Sequence, residues 1–112
     1  MLIIDGNTIR LTRGDTAYIE VPINRLVDGE YEPYTMQDGD KLILTIKDKN
    51  GLDSESYLVR KEISGNTFHI LPEDTKHLPF GKYVYDIELD TASGDVFTVV
   101  TISTFVVEKE VS

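Results

Sequence analysis

The chain predicts an all-β fold, an antiparallel β-sandwich of about seven strands with one short helical turn. Three observations carry this. Apolar residues alternate with polar ones at a period of two in three separate stretches. Glycine-centred turn clusters recur at roughly one per strand. A run near the C-terminus, residues 96–107, is dense in β-branched and aromatic residues.

The elements follow in order. Residues 8–11 form a short β-prone segment after the Asp5-Gly6-Asn7 turn. In residues 16–23, Ala17, Ile19, Val21 and Ile23 face one way, and Thr16, Tyr18, Glu20 and Pro22 the other. Residues 25–37 show no clean period and contain Gly29 and Pro33, so they read as a loop with at most a short edge strand. In residues 41–48, Leu42, Leu44 and Ile46 oppose Lys41, Thr45 and Lys47. Residues 57–63 and 67–71 are weaker strands around the Ser64-Gly65-Asn66 turn. Residues 72–78 hold the helical turn, with Pro72 suited to its first position. In residues 82–90, Tyr83, Tyr85, Ile87 and Leu89 alternate with Lys82, Val84, Asp86, Glu88 and Asp90. Each alternating stretch describes a strand with one face in a core and one in water.

The sequence Leu78-Pro79-Phe80-Gly81-Lys82-Tyr83 sharpens the fold class to immunoglobulin-like. In such sandwiches a tight turn precedes a strand whose early tyrosine returns its hydroxyl to upstream backbone. Gly81 and Tyr83 are the expected structural corner.

At 112 residues the chain suits a single domain over residues 1–112. With 40% hydrophobic and 28% charged residues it has ordinary globular composition. Twenty acidic against 11 basic residues give a net charge of −9, which disfavours nucleic acid and anionic membrane surfaces as partners. No cysteine is present, which removes disulfides, thiol catalysis and thiolate zinc sites. The apolar run Leu2-Ile3-Ile4 ends at Asp5, too short for a signal peptide or a spanning helix.

Candidate sites compete with structural roles. His69 lies on the outer phase of a strand and His77 in a polar turn, and neither belongs to a nucleophile motif, so no catalytic residue is expected. Asp86, Glu88 and Asp90 form an outward acidic row that a glycosidase or metal site could use. Pairing with Lys41 and Lys47 on a neighbouring strand explains it better. In residues 48–55, Asp48, Asn50, Asp53 and Glu55 offer alternate oxygen ligands, but the glycine comes too early for an EF-hand and no twelfth-position glutamate follows. An acidic hairpin loop is the expectation there, with no metal and no cofactor. Arg13-Gly14-Asp15 spells an adhesion tripeptide inside a turn, where its work is structural.

Residues 96–107 are the strongest binding feature. Phe97, Val99, Phe105 and Val107 lie in one phase and Val96, Val100, Ile102 and Val106 in the other. Apolar residues on both faces imply a bulge, a central strand, or a face covered by another subunit. Phe97, Val99, Phe105 and Val107 are the candidate interface, and a homo-oligomer is one form it could take.

Four blocks carry a family resemblance: residues 6–16 (GNTIRLTRGDT), 39–47 (GDKLILTIK), 81–87 (GKYVYDI) and 104–107 (TFVV) followed by an acidic tail. Together they resemble the N-terminal β-sandwich domain of upper baseplate proteins of tailed phages and prophages of Gram-positive bacteria. The chain departs from that pattern by ending after the sandwich, without a helical or receptor-binding extension. The resemblance implies a non-enzymatic virion component, made in the host cytoplasm without a signal peptide and docking to other phage structural proteins. The alternative is a carbohydrate-binding or adhesion module of immunoglobulin-like fold, with Tyr18, Tyr31, Tyr34 and Tyr57 as stacking platforms.

Overall fold

A computed structural model describes residues 2–50 and 56–110. The chain is mostly β. In order it forms β1 (Leu2–Asp5), β2 (Thr8–Thr12), β3 (Ala17–Glu20), β4 (Asn24–Val27), β5 (Glu30–Pro33), β6 (Lys41–Asp48), β7 (Val59–Ile63), β8 (Thr67–Ile70), α1 (Pro72–Lys76), β9 (Gly81–Asp90) and β10 (Val96–Glu108).

A six-stranded sheet, ordered β1-β2-β10-β9-β6-β7, dominates the fold. The alternating stretches predict its centre: Leu42, Leu44 and Ile46 of β6 stand opposite Leu89, Ile87 and Tyr85 of β9, all six buried on one face. A β3–β8 pair contributes Ala17, Ile19, Phe68 and Ile70 to the same hydrophobic core, and the chain beyond β3 adds Val21 and Ile23. Burying side chains of this size contributes about 1.5–3 kcal/mol each.

The helical turn forms where Pro72 predicts it, at α1. Asp74 accepts the Leu71 backbone N–H at 2.7 Å and pairs with Lys61 at 2.6 Å, fixing the turn against β7. Buried Thr75 then accepts the Gly14 N–H at 2.9 Å, which ties the β2–β3 turn to the helix.

Two features depart from the sequence reading. The described residues hold ten strands rather than about seven. The additions are β1, which the N-terminal apolar run forms by pairing with β2, and the β4–β5 hairpin inside the segment read as a loop. Asp28 and Gly29 take φ of +51° and +82° between β4 and β5. Positive φ at both central residues is the two-residue hairpin turn that Asp-Gly favours, a signal present in the sequence. The large sheet is also mixed rather than antiparallel throughout, because β10 runs parallel to β2 from Phe105 to Glu108.

Candidate functional site

Strand β10 is where pairing and burial part company. Along β9 it is paired almost from end to end, but β2 accompanies only Phe105, Val106, Val107 and Glu108. Residues 96–104 therefore have β9 on one side and, among the described strands, no partner on the other. The β9 register shifts between Thr98 and Val100 and again between Val100 and Ser103. These irregularities account for the two-phase apolar pattern: Phe97, Val100 and Phe105 each stand opposite an inward-facing residue of β9 although their spacing is not uniform.

The four candidate interface residues separate accordingly. Phe105 and Val107 are fully buried in the core beside Ile9, Leu11 and Tyr83, so they cannot meet a partner and are removed from the interface. Phe97 is 53% exposed and Val99 is half-buried. Both line a cleft of about 660 Å³ between the first part of β10 and the β4–β5 arm, whose apolar lining also includes Ile23, Leu26, Tyr34 and Leu89. Arg25 stands at the same cleft.

The sequence reading did not find the opposite wall, because Ile23 belonged to a core phase and Leu26 to an unassigned loop. The hairpin places Leu26 in register with Tyr31, and both side chains are largely exposed. Tyr34 is held at the base of this arm. Its N–H donates to the Ile23 carbonyl at 2.8 Å, and its hydroxyl donates to the buried Asp40 carboxylate.

Asp40 joins two loops. Besides the Tyr34 hydroxyl it accepts the Gln37 N–H at 2.9 Å and the Ala92 N–H at 3.0 Å. The tyrosine hydrogen bond, then the two backbone donors, hold its pKa below the usual carboxylate value, and the same bond raises that of Tyr34. A side chain that follows a turn glycine is thereby a structural anchor for the rim of the cleft.

The corner residues form the expected contact. The Tyr83 hydroxyl donates to the Pro79 carbonyl at 2.6 Å, and Gly81 between them takes a positive φ of 145°. Burial, and then the charge of Asp48, raise the Tyr83 pKa.

The remaining candidates do not converge. His69 is exposed and stacks on Tyr18 with ring centroids 4.4 Å apart, while His77 meets the Glu73 carbonyl in the helical turn. Arg13 makes a two-point pair with Glu110, at 2.8 and 3.2 Å, and lies 4.1 Å over the Phe80 ring, so the tripeptide arginine is engaged internally. Of the acidic loop 48–55, residues 51–55 lie outside the described residues. Within them, Asp48 accepts the Asn50 N–H at 2.9 Å.

Asp86, Glu88 and Asp90 do share the outer face of β9, and Lys41 stands opposite Asp90 in register. Lys41 forms its ion pair with Glu62 instead, at 3.2 Å. A hydrogen bond to Asp90, then burial and the neighbouring carboxylate charges, raise the pKa of Glu88. Among the described residues, no group of three or more His, Asp or Glu side chains is placed to hold a metal ion, and no helix is long and apolar enough to cross a membrane.

Comparison with protein-family models, curated proteins and solved structures finds no match to this chain.

Proposed function

We propose that this protein is a non-enzymatic assembly component of a phage or prophage tail or baseplate, a virion part that docks to other structural proteins through a sheet edge. The observation that carries the reading is β10: a strand without a charged residue from Val96 to Val107, whose residues 96–104 have no partner among the described strands on one edge and lie beside an apolar cleft. Edge strands left bare in this way are templates for pairing with another chain.

The baseplate resemblance adds support. Its four blocks fall on β2, β6, β9 and β10, which lie side by side in the large sheet as β2-β10-β9-β6. The Tyr83 corner supports reading the two packed layers as an immunoglobulin-like sandwich. The carbohydrate reading draws less support, since Tyr18 stands on the β3–β8 pair, Tyr31 on the arm and Tyr57 ahead of β7, three separate places.

Gene neighbourhood and particle composition test the proposal. The expected result is a gene among tail and baseplate genes, with its product found by mass spectrometry in purified particles. A neighbourhood free of such genes, or particles lacking the chain, overturns it.

A further inference from the structure

The cleft between the arm and the first part of β10 differs in charge from the rest of the molecule. The chain carries 20 acidic residues against 11 basic ones. Among the described residues that line the cleft, however, no side chain is acidic, and Arg25 is the one charged group. The surfaces around it are apolar. Ile23 and Leu89 are buried, Val99 is half-buried, and the Phe97 ring remains largely in water.

Arg25 is exposed and forms no ion pair among the described residues, whereas Arg10, Arg13, Lys41 and Lys61 each hold a carboxylate. Glu32 stands opposite it in the hairpin register, yet the two do not join. Strand alternation puts Arg25 on the same face as Ile23, two residues before it. Its charge also reaches the cleft's tyrosine. The Asp40 hydrogen bond and burial raise the Tyr34 pKa, and the positive charge of Arg25 opposes them. Asp40 itself is engaged by the Tyr34 hydroxyl and by the Gln37 and Ala92 N–H groups.

We infer that this cleft binds a small amphipathic carboxylate, with its apolar body against Phe97, Val99 and Leu89 and its carboxylate on the Arg25 guanidinium. The inference goes beyond the assembly reading and does not rest on it. Charge complementarity selects the ligand. A guanidinium presents a planar fork of N–H donors that matches a carboxylate, while a cationic ligand meets no acidic partner in the lining. Size selects it too. A volume of about 660 Å³ lies within the roughly 300–1,000 Å³ of small-molecule sites, which are mostly apolar with a few polar groups to fix orientation. Covering the Phe97 ring supplies the hydrophobic part of the affinity. The net charge of −9 opposes an anion at long range, but physiological salt screens exposed charges beyond about 8 Å. At the cleft the guanidinium is the local charge.

Chemical-shift titrations of the full chain with octanoate, octanol and octylammonium keep the apolar body constant and vary the charge. The expected order of affinity is octanoate, then octanol, then octylammonium, with amide shifts centred on residues 23–26, 34 and 97–99. Arg25→Gln is expected to weaken octanoate by about 5-fold, the upper range for an exposed pair, and to leave octanol unchanged. Arg25→Glu should invert the order, so that octylammonium binds best. Lys82→Gln removes an equal charge at an exposed position of β9 outside the cleft, and should leave octanoate binding intact. Circular dichroism and Tm are expected to be those of the wild type in all three variants.

Equal affinity for the three ligands overturns the inference, as does an order that Arg25→Glu fails to invert. Octanoate shifts centred outside the cleft overturn it as well. So does a dilution series without ligand that moves the same amides, because a second copy of the chain would then be the occupant.

Discussion

Asp40 shows how one side chain can hold two loops while leaving no trace in hydrophobic periodicity. Its carboxylate is buried and takes three hydrogen bonds, from the Tyr34 hydroxyl, the Gln37 N–H and the Ala92 N–H. Those bonds favour the charged form, so its folded pKa lies below its unfolded one. Such a group stabilises the fold above the ordinary carboxylate range and loses that contribution as pH falls through the folded value. Asp40→Asn should therefore lower Tm at pH 7, with a gap to wild type that narrows under acid. Thermal melts between about pH 3 and pH 7, spanning the ordinary Asp value near 3.9, check this. A gap that stays constant with pH would exclude the charged form as the source.

The neighbouring Gly39 is constrained by space as well as by backbone. It takes φ of +88°, and a Cβ there would lie 2.8 Å from the Ala92 Cβ. Gly94 has a similar φ of +94° with open space around it. Both Gly→Ala changes carry the left-handed backbone penalty of about 1–2 kcal/mol, but only Gly39→Ala adds a clash. Urea denaturation should rank Gly39→Ala below Gly94→Ala, and Ala92→Gly should recover part of the difference in the double variant. At the corner, Tyr83→Phe removes the bond to Pro79 and leaves that carbonyl unpaired, at a cost of about 1–3 kcal/mol.

At the scale of elements, β9 organises the large sheet, and the period-two pattern makes that visible. Its inward residues meet β6 and β10, while its outward carboxylates stand in a row. Glu88 is penalised for being charged by Asp90, burial and Asp86, so its folded pKa lies above its unfolded one. Relative stability is then greatest below the ordinary carboxylate range and is lost as pH rises through the folded value. Glu88→Gln should raise Tm at pH 7, by no more than about 4 °C for a mostly solvent-screened group, with the gain vanishing in acid.

Much of this level was legible before any coordinates. The three alternating stretches become β3, β6 and β9, and the proline-led turn becomes α1. What escaped has identifiable physical causes. The arm is exposed on nearly every residue, so it carries no apolar alternation to read. Its signature was the turn dipeptide Asp28-Gly29. The β2–β10 pairing brings together residues almost a hundred positions apart, and nothing local announces a parallel partner. For the candidate site, Phe97 and Val99 shared one phase with Phe105 and Val107, but bulges reset the register between them and a two-residue period cannot show that.

The whole molecule combines a dense core with a projecting arm. Its principal extents are 49 × 28 × 25 Å, and its radius of gyration is 14.7 Å against about 13 Å for a compact chain of this length. The β4–β5 hairpin has four registered residue pairs and almost no buried side chain, and a two-stranded hairpin alone is marginal in water. What anchors it is the Tyr34 pair of contacts, to Ile23 and to Asp40. The arm should consequently open by itself while β6 and β9 exchange only on global unfolding. Phe105→Ala, which empties a fully buried core position at about 3–5 kcal/mol, should speed exchange in β6 and β9 by about 10²–10⁴-fold and leave the arm amides nearly unchanged. Tyr34→Phe should do the reverse, speeding the arm through loss of the Asp40 bond while β6 and β9 change far less. Native-state hydrogen exchange on the three proteins decides the matter. If arm and core exchange change together in both variants, the two form one cooperative unit, and the arm does not open by itself.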